Sequence, residues 1–124
     1  MLIEEQLTER IIGAAIEVHR YWGPGLYEEI YERSLCQELS SAGLSVENQV
    51  LLPLLYKGVP VGDALRLDVW IDRKVVVEVK AVSELLPVHE SQLLTYLRLT
   101  NSRVGLLINF NVPVLKDGLR RFVL

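Results

Sequence analysis

Residues 75–82 read Val-Val-Val-Glu-Val-Lys-Ala-Val, and this short run constrains the fold more than any other. Consecutive β-branched residues favour an extended chain. A strand that is apolar on both faces needs a packed layer on each side, as the middle strands of α/β sheets have. Yet Glu78 and Lys80 sit inside it. A lone carboxylate there would carry a desolvation cost on the order of several kcal/mol, so its charge needs a partner.

The rest of the chain supplies the layers. Leu7, Ile11, Ala14 or Ala15, and Val18 recur at spacings of three and four, which predicts a helix over 3–21. Gly23-Pro24-Gly25 stops it. A second helix is expected over 26–42, with Ile30, Leu35 and Leu39 on its buried side and Gly43 as C-terminal cap. Residues 46–56 and 59–71 read as two strands joined by a hairpin tip at Lys57-Gly58, and Asp72-Arg73-Lys74 turns the chain into the third strand at 75–82. Pro87 opens a third helix, where a first-turn proline is tolerated. Residues 103–110 form a buried strand, and 119–124 offer an edge strand. The expected order is α-α-β-β-β-α-β(-β): a β-meander plus a strand paired in parallel through a helical crossover. That is a mixed sheet flanked by helices, in one domain spanning 1–124.

Bulk properties exclude several classes. Half the residues are hydrophobic and the net charge is only −3, which argues against disorder. The N-terminal MLIEEQLTER lacks a signal-peptide layout, and no apolar stretch approaches the roughly 20 residues of a membrane span. A single cysteine, Cys36, permits no internal disulfide and suits a cytoplasmic protein. The acidic balance, with pI about 5.4, opposes nucleic-acid binding by bulk electrostatics. Such binding would need local basic patches, metal ions or a partner subunit.

Strand alternation groups the charged residues. Side chains two apart share a face, so Glu78 and Lys80 point the same way, roughly 7 Å apart, and Asp68 can face them from the preceding strand. Two carboxylates with a carbonyl and waters suit the oxygen shell of Mg²⁺. Lys80 could then orient an attacking water and stabilise charge developing on phosphorus. The plain alternative is an Asp68–Lys80 or Glu78–Lys80 ion pair on a solvent-facing edge strand. An acid two residues before a lysine occurs about once by chance in a chain of this length. Asp72-Arg73-Lys74 is a second match, but it falls in a turn where charges are solvated.

Other elements offer supporting groups. His89, Gln92 and Tyr96 form one stripe of the third helix. Gln92 and Tyr96 are candidates to contact phosphate or orient ligands, whereas His89 better suits a hydrogen bond at the helix start. Glu28 and Glu29 open the second helix, where its dipole favours acids; Glu28 could also reach the strand carboxylates. Tyr21 and Trp22 form either a small aromatic contact surface or packing for the helical pair.

In combination these residues resemble a known family. Gly25-x-x-Glu28-x-x-Tyr31 after a Gly-Pro-Gly turn, Arg66-x-Asp68, Val77-Glu78-Val79-Lys80-Ala81, Pro87-Val88-His89-Glu90, Gln92-Leu93-Leu94-Thr95-Tyr96-Leu97 and Gly105-Leu106-Leu107-Ile108-Asn109-Phe110 are similar to the small bacterial GxxExxY proteins. These are grouped with the PD-(D/E)xK nucleases. The resemblance covers nearly the whole chain. It implies a restriction-endonuclease-like core in which Asp68 is the first acid, Glu78 the second and Lys80 the lysine. Glu28 matches the helix acid, and Gln92 with Tyr96 the Gln-x-x-x-Tyr element of the recombination-exonuclease branch. Leu67 stands where proline often precedes the first acid.

The implied function is a Mg²⁺- or Mn²⁺-dependent nuclease acting on DNA phosphodiesters. Asp68, Glu78 and Glu28 would serve as metal ligands, with Lys80 and Gln92 also in the catalytic set. Tyr96, Tyr31, Arg66 and His89 are candidates for substrate contact. A homodimer would widen the surface available to duplex DNA. The competing readings are a non-catalytic nucleic-acid-binding or regulatory module on the same fold, and a purely structural subunit.

Overall fold

The computed structural model describes residues 2–62 and 64–124. Helices α1 (Glu5–Trp22) and α2 (Glu28–Ser41) come first, followed by β1 (Val46–Leu52), the short pair β2 (Leu55–Tyr56) and β3 (Val59–Pro60), β4 (Leu65–Ile71), β5 (Val75–Lys80), α3 (Pro87–Thr100), β6 (Val104–Asn109) and β7 (Leu119–Val123). Five strands make one sheet in the order β1-β4-β5-β6-β7, and β2 pairs with β3 apart from it. β5 and β6 run parallel, joined by the α3 crossover, and the remaining pairs are antiparallel. No described helix is long and apolar enough to cross a membrane.

The valine run is the central strand, as its two-sided apolar character demands. Val75, Val77 and Val79 pack toward α1 and α2 with Ile11, Ala15, Leu35 and Leu39. Val76 packs on the opposite face with Leu93, Tyr96 and Leu97 of α3. Each fully buried Val or Leu contributes about 1.5–3 kcal/mol. The central position of β5 rules out an edge strand facing solvent as the setting of Glu78 and Lys80.

Turn chemistry sets the connections. Gly23, at φ 68°, caps α1 by donating its N–H to His19 O. Lys57 and Gly58, at φ 50° and 85°, form the hairpin tip between β2 and β3. Asp72 and Arg73, both at φ 53°, turn β4 into β5, and Asp72 Oδ1 accepts from Ser45 N–H. The Asp72-Arg73-Lys74 match is therefore a surface turn, as expected from its setting.

Three expectations need correction. Residues 46–56 are not one strand: β1 stops at Leu52, because Pro53 has no N–H to continue the ladder. Residues 59–71 likewise divide into β3 and β4, around Gly62. Ile30 is on the exposed side of α2, and Tyr31 takes the core position.

Tyr31, a candidate for substrate contact by sequence, lies in the core. It is fully buried and stacks on Phe110 with ring centroids 4.6 Å apart. Its hydroxyl donates to Gly23 O (2.5 Å) and accepts from Leu26 N–H (3.1 Å). Both hydroxyl functions are engaged within the Gly23–Leu26 segment, so Tyr31 ties the start of α2 to that turn.

Candidate active site

The β4–β5 ladder runs from Ile71↔Val75 to Val69↔Val77 and ends there. The next pair would be Asp68 and Glu78. Instead the strands part, and the two side chains take over the bonding of the backbone. Glu78 Oε1 accepts from Asp68 N–H at 3.1 Å, and Asp68 Oδ2 accepts from Val79 N–H at 2.9 Å. Beyond this fork β5 pairs only with β6, and β4 only with β1.

The alternation of β4 slips at the same point. Val69 and Ile71 belong to the core on the α1–α2 side, whereas Leu67 belongs to the core under α3. Opposite Asp68, Gln49 adopts a left-handed φ of 53° and has no ladder partner between Asn48↔Val69 and Val50↔Leu67. A left-handed non-glycine residue inside a strand marks local strain, a feature that clusters at functional sites.

Gln49 bridges to an acid that the sequence pattern missed. Its Nε2 donates to both carboxylate oxygens of Glu32, at 2.7 and 2.9 Å, and approaches Asp68 Oδ1 at 3.5 Å. Glu32 is buried on α2 one turn after Glu28. The missed signal is its spacing: Glu32, Leu35 and Leu39 share the buried stripe. Glu28 itself is exposed, and with Glu29, Glu32, Arg33, Asn48, Gln49 and Asp68 it lines an open groove of about 510 Å³.

The electrostatics are those of crowded, under-neutralised acids. Glu78 is only 3% exposed. Burial first, and then the neighbouring Asp68 charge, push its carboxyl up to about 9; the Asp68 N–H and the Lys80 charge pull the other way without offsetting this. Burial also raises Glu32, reinforced by Asp68 and opposed by the Gln49 hydrogen bond. Tyr96 is pushed up to about 12 by burial and by the charges of Glu78 and Asp68. Cys36 rises to about 11 through burial, then Glu32 and Asp68, so it is an inert thiol.

Lys80 is half-buried at the end of β5. The ion pairs among the described residues, Arg33–Glu29, Arg73–Glu47 and Arg120–Glu90, leave Lys80, Asp68 and Glu78 out. These strand charges are thus not held as a close ion pair, although the Lys80 charge still favours ionised Glu78. Buried Asn109 holds the segment that follows Lys80: its Nδ2 donates to Val82 O and its Oδ1 accepts from Val82 N–H. Phe110 N–H donates to Lys80 O.

The α3 residues divide. Tyr96 is buried beside the acids, whereas Gln92 is exposed on the same helix. His89 Nδ1 accepts from Leu86 N–H at 3.0 Å, the expected bond at the helix start. Arg66 is exposed on β4, in register with Leu51 of β1.

Among the described residues, no three His, Cys, Asp or Glu side chains are disposed to hold a metal ion by themselves. The donor chemistry nevertheless suits a hard divalent cation. Asp68 and Glu78 present oxygens at the mouth of the fork with no basic side chain paired to them. Mg²⁺ is commonly held by one or two carboxylates, with water and substrate oxygens completing its shell.

The model of the PD-(D/E)XK nuclease superfamily matches residues 5–122. The chain belongs to that superfamily. No curated protein and no solved structure matches it. Membership agrees with the fold: the five-stranded mixed sheet flanked by helices is a restriction-endonuclease-like core. Superfamily proteins are generally nucleases and typically use divalent metals, which suggests a nuclease.

Proposed function

We propose that the protein is a metal-dependent nuclease that hydrolyses DNA phosphodiester bonds at the β4–β5 fork. The observation that carries this reading is the fork itself. Two acids occupy the place where β4 and β5 part, one of them is deeply buried, and neither has a basic ion-pair partner among the described residues. Asp68 and Glu78 would hold Mg²⁺ or Mn²⁺, with Glu32 or Glu28 completing the acidic set from α2. The bound cation would supply positive charge for the phosphate and ease deprotonation of a nearby water.

The remaining roles belong to the chain. Lys80 orients the attacking water and stabilises charge on the phosphoryl oxygens. Asn109 keeps residues 80–82, and hence Lys80, in place. Tyr96 walls the acids off from solvent on the α3 side, and Gln92 offers an exposed amide to the phosphate backbone. Arg66 and His89 are secondary candidates for substrate contact. The motifs at Gly25-x-x-Glu28-x-x-Tyr31 and Val77-Glu78-Val79-Lys80 support placement among GxxExxY proteins. We further propose a cytoplasmic homodimer, because an acidic chain of 124 residues has little surface of its own for duplex DNA.

Two observations favour a second reading. The net charge of −3 and, among the described residues, the lack of three acidic, His or Cys side chains disposed to hold a metal by themselves would suit a regulatory module that binds nucleic acid without cutting it. Mn²⁺ calorimetry combined with a plasmid- and oligonucleotide-cleavage assay separates the two. The nuclease reading requires saturable Mn²⁺ binding that Asp68→Ala abolishes, together with cleavage that EDTA stops. Nucleic-acid retention without metal or cleavage would establish the second reading. Sedimentation of the purified chain tests the dimer.

A further inference from the structure

The nuclease site uses one side of α2. A second groove, of about 250 Å³, lies between another side of that helix and the end of α1. Glu17, Val18, Tyr21 and Trp22 line it from α1, and Ser34 and Glu38 from α2; it shares no lining residue with the groove at Asp68. The residues from each helix recur at spacings of three and four, so two helical stripes face each other across it.

The aromatic pair there is not core. Tyr21 is 77% exposed and Trp22 44% exposed. Their rings meet edge-on, with centroids 4.8 Å apart and planes at 83°. The indole is nevertheless anchored: Trp22 Nε1–H donates to Ser34 Oγ at 2.9 Å, and Ser34 donates in turn to Ile30 O at 2.7 Å. Two aromatic residues are thus held in place while much of their surface remains in water.

The charged side chains that line the groove have one sign. Glu17 and Glu38 flank the rings, and neither takes part in an ion pair among the described residues. Aromatic faces carry negative potential. A groove lined by two aromatic residues and by two carboxylates outside any ion pair among the described residues is complementary to a cation that is flat, delocalised and weakly hydrated. Guanidinium meets that description better than ammonium. The volume is below the roughly 300–1,000 Å³ of ordinary small-molecule sites and suits a single side chain.

We propose that the α1–α2 groove is a docking site for an arginine side chain of a partner protein, received between the Tyr21 and Trp22 rings and the Glu17 and Glu38 carboxylates. This is independent of the nuclease reading, since the two grooves have no residue in common.

The test uses the full chain, ¹⁵N-labelled and titrated with N-acetyl-arginine amide, while the two tryptophan indole N–H signals are followed. The Trp22 signal moves saturably. The Trp70 signal stays, because that indole is buried and bonded to Ser102 Oγ. The neutral citrulline counterpart leaves Trp22 in place. The double variant Glu17→Gln/Glu38→Gln, which changes surface charge only, weakens binding by at least about threefold, and its unchanged thermal midpoint shows that the fold is retained. No movement of Trp22, an equal response to citrulline, or unaltered binding by the double variant would each overturn the proposal. So would movement of Trp22 on concentrating the protein alone, which would make the occupant a second copy of this chain.

Discussion

Replacing Glu78 with glutamine isolates the electrostatic tension of the fork. The amide side chain keeps the shape of a protonated glutamate and can still accept from Asp68 N–H, but it cannot ionise. In the wild type the folded state holds the Glu78 proton up to about pH 9, whereas the unfolded chain releases it near 4.5. The native state therefore binds the extra proton between those limits, and stability falls as pH rises through the window, by about 1.4 kcal/mol per pH unit. Three units, from 4.5 to 7.5, amount to a penalty of up to about 4 kcal/mol. Glu78→Gln escapes it. Urea unfolding in EDTA, followed by circular dichroism, should give matching stabilities for the two proteins near pH 4.5. By pH 7.5 the variant should be more stable by up to that amount. Millimolar Mg²⁺ should reduce the difference by restoring wild-type stability at neutral pH. Parallel stability curves from pH 5 to 8 would refute the argument, because they would mean that Glu78 ionises in the folded protein as freely as in the unfolded chain.

Other substitutions divide chemistry from scaffold. Lys80→Ala should leave Mn²⁺ binding largely intact while lowering the cleavage rate by at least about a hundredfold, read by calorimetry and gel assay on one preparation. Tyr31→Phe strips a hydrogen-bond partner from Gly23 and Leu26 and should cost about 1–3 kcal/mol in urea unfolding; cleavage by the folded variant should be unchanged, and a lost rate at full stability would return Tyr31 to the substrate. Gly118→Ala would set a Cβ 2.2 Å from the backbone oxygen of Asn109. It should destabilise the chain by about 3 kcal/mol or more, seen as a large drop in thermal midpoint; an unshifted midpoint would mean that this contact relaxes freely.

Much of the architecture was legible because local and global preferences agree. The alternation of 65–71 and 75–80, the turn at 72–74, and an apolar run after a helix lead directly to an antiparallel pair and a parallel crossover. The strand breaks were harder to read. Leu-Leu-Pro-Leu-Leu-Tyr looks continuously β-forming, and only the missing N–H of Pro53 interrupts it. The site was legible in part. Glu78 announced itself as a charge among valines, but Glu28, Glu29 and Glu32 look alike along the sequence. Which of the three turns inward depends on how α2 rolls onto the sheet, and Tyr31 sets that by stacking on Phe110, nearly eighty positions away. Gln49 gave no local signal, since its left-handed backbone follows from the parting of strands around Asp68.

The fork has a thermodynamic corollary. The amide protons of Asp68 and Val79 are tied down by carboxylates instead of by a neighbouring strand. Any ligand that recruits those carboxylates competes with the protein's own main chain, and part of its intrinsic affinity is offset by the bonds it displaces. Deuterium uptake at these two backbone positions would then act as a built-in gauge of occupancy, quickening as the acids are drawn away and slowing again when they return.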